Sequence, residues 1–169
     1  MSRPDAERWA GDTPDAAGLR IALVVSRYNA VVTDGLRDGA LAALAAAGAA
    51  AGDITILPVP GAYEVPQAAR RAAETGRFDA IVCLGCVIRG ETAHFEYIAS
   101  AVAHGIMAAA AETGVPMAFG VLTTDTVEQA RARAVVGPEG KGWEAARSAV
   151  DLARLFRRLD GTPVKGLRA

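Results

Sequence analysis

One short stretch of the sequence combines the residue types of an anion site with a group that can move protons. Residues 85–94 read GCVIRGETAH and lead from an apolar run into a helical pattern. Gly90 permits close backbone approach, and the N–H groups after it, together with the Thr92 hydroxyl, form a site that suits a phosphate. His94, predicted one turn into the helix, would act there as an acid or base. An ordinary first helical turn with a capping histidine is the alternative.

Further candidate groups follow the other apolar runs. Tyr28 offers a flat face to a heteroaromatic ring, although an aromatic at a strand end is often part of the core. Glu64 could accept hydrogen bonds from the hydroxyls of a sugar or polyol, although the helix dipole alone favours a carboxylate there. Arg131 and Arg133 follow the last apolar run. Arginine side chains are usually solvated at the surface, and only one of these two is expected to have a functional role.

Two cysteines, Cys83 and Cys86, offer competing chemistry. A redox Cys-x-x-Cys pair needs its first thiol exposed at a helix N-terminus, whereas Cys83 lies inside an apolar strand pattern. No second pair is present for zinc, and HFEYI at 94–98 is not the HExxH pattern of a metalloprotease. Both cysteines are therefore interpreted as reduced, small hydrophobic residues, and no metal is expected.

The elements that position these groups alternate between strand and helix. Near-continuous apolar runs predict four strands covered on both faces, at 19–25, 53–59, 79–85 and 117–123. Helical patterns occupy about 31–47, 64–75, 94–113 and 141–159, and Thr126 with Gln129 forms a capping box that opens a further short helix. This order indicates right-handed crossovers in an open α/β sandwich, whose ligands bind beyond the C-terminal ends of the strands.

Composition limits the class of ligand and the location. The chain has 169 residues, which is the size of one domain, and its 18 basic and 19 acidic residues nearly cancel. Nucleic acid and anionic membrane surfaces are therefore not expected as partners, and a small polar metabolite is. No apolar run approaches the roughly 20 residues of a membrane span, and the first residues lack a signal peptide, so the expected location is the cytoplasm.

Three segments are predicted along the chain. Residues 1–18 are interpreted as an N-terminal arm, either mobile or packed on a neighbouring subunit. Residues 19–160 form a single domain, and residues 161–169 form a C-terminal tail.

Five strings resemble the lumazine synthase family of riboflavin biosynthesis: RYN, VPGAYEVP, GCVIRGETAHFEYI, FGVLTTDTVEQARARA and GKGWEAA. The similarity is collinear from about 19 to 159. It implies a three-layer α/β sandwich, with a four-stranded parallel sheet in the flavodoxin-like order 2-1-3-4 and helices on both faces. It also implies a transferase that condenses 5-amino-6-(D-ribitylamino)uracil with 3,4-dihydroxy-2-butanone 4-phosphate, without cofactor or metal. The products would be 6,7-dimethyl-8-ribityllumazine, phosphate and water.

The resemblance also implies a role for each matching residue. His94 would be the general acid and base. The ring and ribityl chain would be bound by Tyr28, Asn29, Ala62, Tyr63, Glu64, Cys86, Val87 and Ile88. The phosphate would be bound by Glu91, through its N–H, Thr92 and Arg133. Phe119 and Lys141 match positions that the family supplies to the site from a neighbouring subunit.

A homo-oligomer, at least a pentameric ring, is the implied assembly. The alanine-rich pattern SAVAHGIMAAAAE at 100–112 is apolar over more of its surface than one sheet can cover. Gly137 and Gly140 depart from the lysine and asparagine that relatives often carry, so assembly beyond a pentamer, as a decamer or a sixty-subunit shell, is left open. An association with riboflavin synthase is also left open. A flavodoxin-like binding module and a shell subunit without catalysis are the alternative functions.

Overall fold

A computed structural model describes residues 15–161 of the chain. Its four strands, β1 to β4, are Ile21–Ser26, Ile54–Val59, Ala80–Ile88 and Met117–Thr124. The strands are parallel and lie in the order β2-β1-β3-β4, so the predicted order is confirmed. The five α-helices, α1 to α5, are Ala30–Ala46, Val65–Glu74, His94–Thr113, Val127–Arg133 and Lys141–Gly161. Short 3-10 turns at Ala51–Asp53 and Ala62–Glu64 precede β2 and α2.

Alternate side chains of the central strands supply two separate cores, because successive strand residues point to opposite faces of a sheet. In β1, Leu23 and Val25 join the core formed with α1, α4 and α5. Ala22 and Val24 point the other way, into the core formed with α2 and α3. The predicted three-layer sandwich with helices on both faces is confirmed.

The edge strand β2 differs from the prediction that every strand is covered on both faces. Ile56 is 43% exposed and Pro58 is also exposed, whereas all six residues of β1 are buried. β2 pairs only with β1 in the described part of the chain. Proline has no N–H to donate, and an edge strand tolerates it because one side of its ladder is unpaired. Apolar composition alone does not distinguish this edge from the centre of the sheet.

Glycines allow the helices of each layer to approach closely. A Cβ on Gly142, at the start of α5, would lie 2.0 Å from the carbonyl oxygen of Leu36 in α1. A Cβ on Gly105, in α3, would lie 2.8 Å from the Pro66 ring in α2. Real Cβ contacts are not this short, so larger residues would push these helix pairs apart. The first contact fixes the start of α5, which carries Lys141.

The described end of the predicted N-terminal arm packs on its own chain. Ala16 is fully buried, and its N–H donates to the carbonyl of Ala47 at 2.8 Å. Arg154 of α5 donates to the carbonyls of Asp15 and Ala17 at 2.6 and 2.5 Å. Residues 1–14 of the arm, and 162–169 of the predicted tail, lie outside the described residues. No helix within 15–161 is long and apolar enough to cross a bilayer.

Candidate active site

A cavity of about 370 Å³ opens at the C-terminal edge of the sheet, where ligands of this class of fold bind. It lies between the ends of β1 and β3, the turn before α2 and the first turns of α3. The structure brings nine of the predicted site residues to its walls: Tyr28, Asn29, Ala62, Tyr63, Cys86, Val87, Ile88, Thr92 and His94. Gly90, which the sequence already placed at the anion site, also lines the cavity, and sequence reasoning missed three further lining residues: Gly61, Phe95 and Ile98.

One wall of the cavity is the end of β3, which runs three residues past its predicted end at 85. Its pairing with β4 continues to Ile88, opposite Thr124. Cys86 is buried in this wall, and burial raises its thiol pKa to about 11. Burial likewise raises the pKa of Cys83, inside the strand, to about 12. At neutral pH both thiols are protonated, so neither is a ready nucleophile or metal ligand.

Asn29 joins two strand ends at the cavity. Its backbone is left-handed, with φ 61°, at the residue that precedes α1. Asparagine tolerates this conformation better than most residues. The side-chain amide donates to the carbonyl of Cys86 at 3.0 Å, across 57 residues of sequence. The bond fixes the turn that carries Tyr28 against the end of β3.

His94 and Thr92 lie together at the mouth of the cavity, but His94 is the first residue of α3 and not one turn into the helix as predicted. Residues 89–93 form the connection from the end of β3 to α3, so the helix does not begin until His94. The Thr92 Oγ1 atom accepts a hydrogen bond from the His94 N–H at 3.4 Å. Both residues are exposed, and a Cβ built on Gly90 would have open space within 4 Å. An anion can therefore reach this turn.

Glu64 and Glu91 do not line this cavity. The Glu64 carboxylate accepts a hydrogen bond from the Gly61 N–H at 2.9 Å, which caps the turn before α2. This is the local role that a carboxylate at a helix start can have without any ligand. Glu91 is exposed beside Thr92, and only its backbone N–H was assigned to the phosphate. The ribityl contact of Glu64 stays a prediction.

A second cavity, of about 340 Å³, lies between β4 and the start of α5. Its walls contain the remaining predicted residues, Phe119, Arg133 and Lys141, and it shares no lining residue with the first cavity. Arg131 is not among its lining residues. Sequence reasoning missed Glu144, which also lines it and holds the Lys141 ammonium group at 2.5 Å.

The end of α4 positions Arg133. Thr126 caps this helix as predicted, because its Oγ1 accepts from the Gln129 N–H at 3.2 Å. The return bond of the predicted capping box is shifted: the Gln129 side chain accepts from the Asp125 N–H at 3.0 Å. One turn later, the Arg133 guanidinium donates to the Gln129 carbonyl at 2.9 Å.

These features are those of an open α/β protein whose cavity at the C-terminal edge of the sheet suits a small molecule with anionic and aromatic parts. The sequence model of the 6,7-dimethyl-8-ribityllumazine synthase family matches residues 18–157. A relative from Syntrophus aciditrophicus (strain SB), named 6,7-dimethyl-8-ribityllumazine synthase, is 49% identical over 144 residues, which is 85% of this chain and 94% of the relative. The chain belongs to this family, and the predicted resemblance is confirmed.

Proposed function

We propose that this chain condenses 5-amino-6-(D-ribitylamino)uracil with 3,4-dihydroxy-2-butanone 4-phosphate to give 6,7-dimethyl-8-ribityllumazine, phosphate and water. The observation that carries the proposal is the first cavity, which gathers an aromatic ring, an imidazole and an anion-accessible turn in a member of this family. The reaction needs an amine, a ketone and a phosphate leaving group, so proton transfer and anion binding supply what the protein must add.

Each wall of the first cavity suits one part of the substrates. Tyr28 is 72% exposed and can stack on the pyrimidine ring, with Asn29 and the end of β3 beside it. Thr92 and the N–H groups near Gly90 suit the phosphate. His94, next to that anion, would move protons during Schiff-base formation, phosphate elimination and ring closure.

Completion of the active site by a second chain is part of the proposal. Arg133 is assigned to the phosphate and Lys141 to substrate binding from a neighbouring subunit, and both line the second cavity. The two cavities have no lining residue in common. A head-to-tail ring would bring the second cavity of one subunit against the first cavity of the next.

The exposed surface of α3 supports a homo-oligomer, at least a pentamer. Its buried residues are Val102, Ile106 and Ala109 only, although most of its 20 residues are apolar. Tyr97 is 74% exposed and Met107 is 71% exposed. A neighbouring subunit would remove this apolar surface from water. We also propose a cytoplasmic location, and leave open a sixty-subunit shell and an association with riboflavin synthase.

A product assay with the two histidine variants tests the proposed reaction. The chain has two histidines, so His104→Ala is a matched control for His94→Ala. His104 is exposed on α3, where its ring contacts the Ser100 carbonyl. We expect His94→Ala to lower kcat towards the small end of the roughly 10² to 10⁴ that acid–base groups supply, and to leave KM largely unchanged. The His104 variant should match the parent.

The measurements are lumazine absorbance and phosphate release, with assembly checked by sedimentation. Binding of both substrates without turnover by the parent protein would favour a binding module instead. Assembly without binding would favour a shell subunit. If His94→Ala raised only KM at unchanged kcat, the proton-transfer role would be wrong while the reaction stood.

A further inference from the structure

Arg89 connects two junctions that the proposed chemistry uses. It follows β3 directly, and its N–H donates to the carbonyl of Thr124 at 2.9 Å. Its guanidinium donates from Nε to Asp125 Oδ1 at 2.7 Å and from Nη1 to Glu96 Oε1 at 3.3 Å. The same group lies over the Phe95 ring, 4.6 Å from the centroid. One side chain thus contacts both the β4–α4 junction and the first turn of α3.

The loop that follows this arginine has mainly local contacts of its own. Residues 90–94 are all exposed. Their described hydrogen bonds are internal ones, from the His94 N–H to Thr92 Oγ1 and from the Glu96 N–H to the Ala93 carbonyl. Gly90 has open space around it. The position of His94 therefore depends on what holds the first turn of α3, and Arg89 holds that turn through Glu96 and Phe95.

The chemistry of the guanidinium suits this role. Its planar fork can bind two carboxylates at once and stack on an aromatic face, whereas a lysine ammonium is a single point charge. Asp125 and Glu96 neutralise the Arg89 charge, and Arg89 is not among the residues that line either described cavity. Its Nε and Nη1 atoms already donate to these two carboxylates. Arg89 is thus better suited to orient the site than to bind the substrate.

We propose that Arg89 is a positioning residue for the condensation, and this inference rests on the proposed function. By tying Glu96 and Phe95 to the β4–α4 junction, it sets the direction of the first turn of α3. His94 begins that turn and, with Phe95, lines the first cavity. Loss of Arg89 would let the imidazole move away from the reacting atoms while most of the cavity wall remained.

Kinetic variants test this role, with kcat and KM measured separately for each substrate. Arg89→Ala should lower kcat roughly 10- to 100-fold, because a misplacement near 1 Å can cost that much, and should change both KM values far less. Arg89→Lys should recover part of the loss, because it restores a charge to one carboxylate. The matched control is Arg131→Ala, an exposed arginine outside both cavities, and it should behave like the parent.

Glu96→Gln provides a second, milder variant for the same test. Glu96→Gln should lower kcat less than Arg89→Ala does. The double variant should have nearly the same kcat as Arg89→Ala, because Arg89→Ala already removes the contact between Arg89 and Glu96. If Arg89→Ala failed to fold, Glu96→Gln and Arg89→Lys would still decide the matter through the same split between kcat and KM.

Three results would overturn the inference. They are unchanged kinetics in Arg89→Ala, independent and additive losses from Arg89 and Glu96, and a large rise in KM for the phosphate substrate at constant kcat. The last result would make Arg89 a phosphate ligand. Absence of product from the parent protein would overturn the proposed function instead, which keeps the two failures distinguishable.

Discussion

Two nearby arginines of α4 differ in their surroundings. Arg133 lines the second cavity beside Lys141, and its Nη1 atom donates to the Gln129 carbonyl. Arg131 is exposed and is not among the residues that line that cavity. The sequence alone made surface solvation the default for both, and the resemblance selected Arg133. Both side chains are exposed, and the phosphate role of Arg133 stays a prediction.

Arginine substitutions test this choice. Arg–phosphate hydrogen bonds are worth roughly 1.5 to 3 kcal/mol, so Arg133→Ala should raise KM for the butanone phosphate about 10- to 100-fold. KM for the ribityl substrate should change much less. Arg131→Ala, the control, should stay close to the parent. Steady-state kinetics with each substrate varied in turn measures both effects. A larger loss from Arg131, or an equal loss for both substrates, would contradict the assignment.

The sequence predicted those cavity residues that directly follow the end of a single strand. Tyr28, Thr92 and His94 each follow a buried run, and parallel strands end at one edge of a sheet. The contact between Asn29 and the Cys86 carbonyl could not be predicted, because it joins two different strands. Nor could the sequence decide whether the Glu64 carboxylate points at a ligand or at the Gly61 N–H, because both are normal for that position.

The positions of the strands and helices followed from the sequence pattern and the strand order followed from the family resemblance, but the ends of elements did not always follow from either. The apolar run DAIVCLG predicted that β3 ends at Gly85. The strand continues because residues 86–88 pair with residues 122–124 of β4. The continuation places Cys86 and Ile88 in the cavity wall. Tertiary packing, which is not visible in a local pattern, decided this boundary.

The beginning of β1 and the end of α5 meet at one half-buried carboxylate. The Asp79 side chain accepts from the Arg20 N–H at 2.7 Å and pairs with Arg157 at 3.0 Å. Burial acts to raise the pKa of this carboxyl, but the Arg20 hydrogen bond and the Arg157 charge outweigh it, so the pKa lies below its ordinary value of 3.8. The ionised form is therefore favoured in the folded chain.

Asp79→Asn should lower the free energy of unfolding by about 1 to 2 kcal/mol at neutral pH. A lowered pKa stabilises the fold above the ordinary aspartate pKa, and this stabilisation is lost as the pH falls through the folded-state value. The difference from the parent should therefore shrink below pH 3.8. Urea unfolding at fixed protein concentration measures it, with exposed Asp151→Asn as the control. If the difference in the free energy of unfolding between the parent and Asp79→Asn did not change with pH, the ionised pair of Asp79 and Arg157 would not be its source.

At the scale of the whole molecule, the proposed acid–base group and the proposed substrate-binding cations lie in different cavities. His94 belongs to the first cavity, whereas Arg133 and Lys141 belong to the second. The proposed active site between subunits would join them, and the exposed apolar surface of α3 favours assembly. This arrangement predicts that two different defective subunits can restore each other.

Mixed reassembly tests the shared site directly. His94→Ala and Arg133→Ala subunits are unfolded, mixed in equal amounts and refolded, so that about a quarter of the boundaries should carry both native groups. Activity should rise well above that of either variant reassembled alone. The control is each variant taken through the same procedure by itself. A site within one chain would carry one defect in every case, and no recovery would then appear.

If each active site forms between two chains as proposed, the number of complete sites depends on how the assembly is closed. Every chain brings one cavity of each kind. In an open row of subunits, the two chains at the ends each keep one cavity without its complement, so there is always one site fewer than there are chains. A closed ring has no ends, and its sites equal its chains. Closing a ring would therefore complete one more active site in addition to one more subunit contact. Turnover per chain would depend on the fraction of rings that are closed.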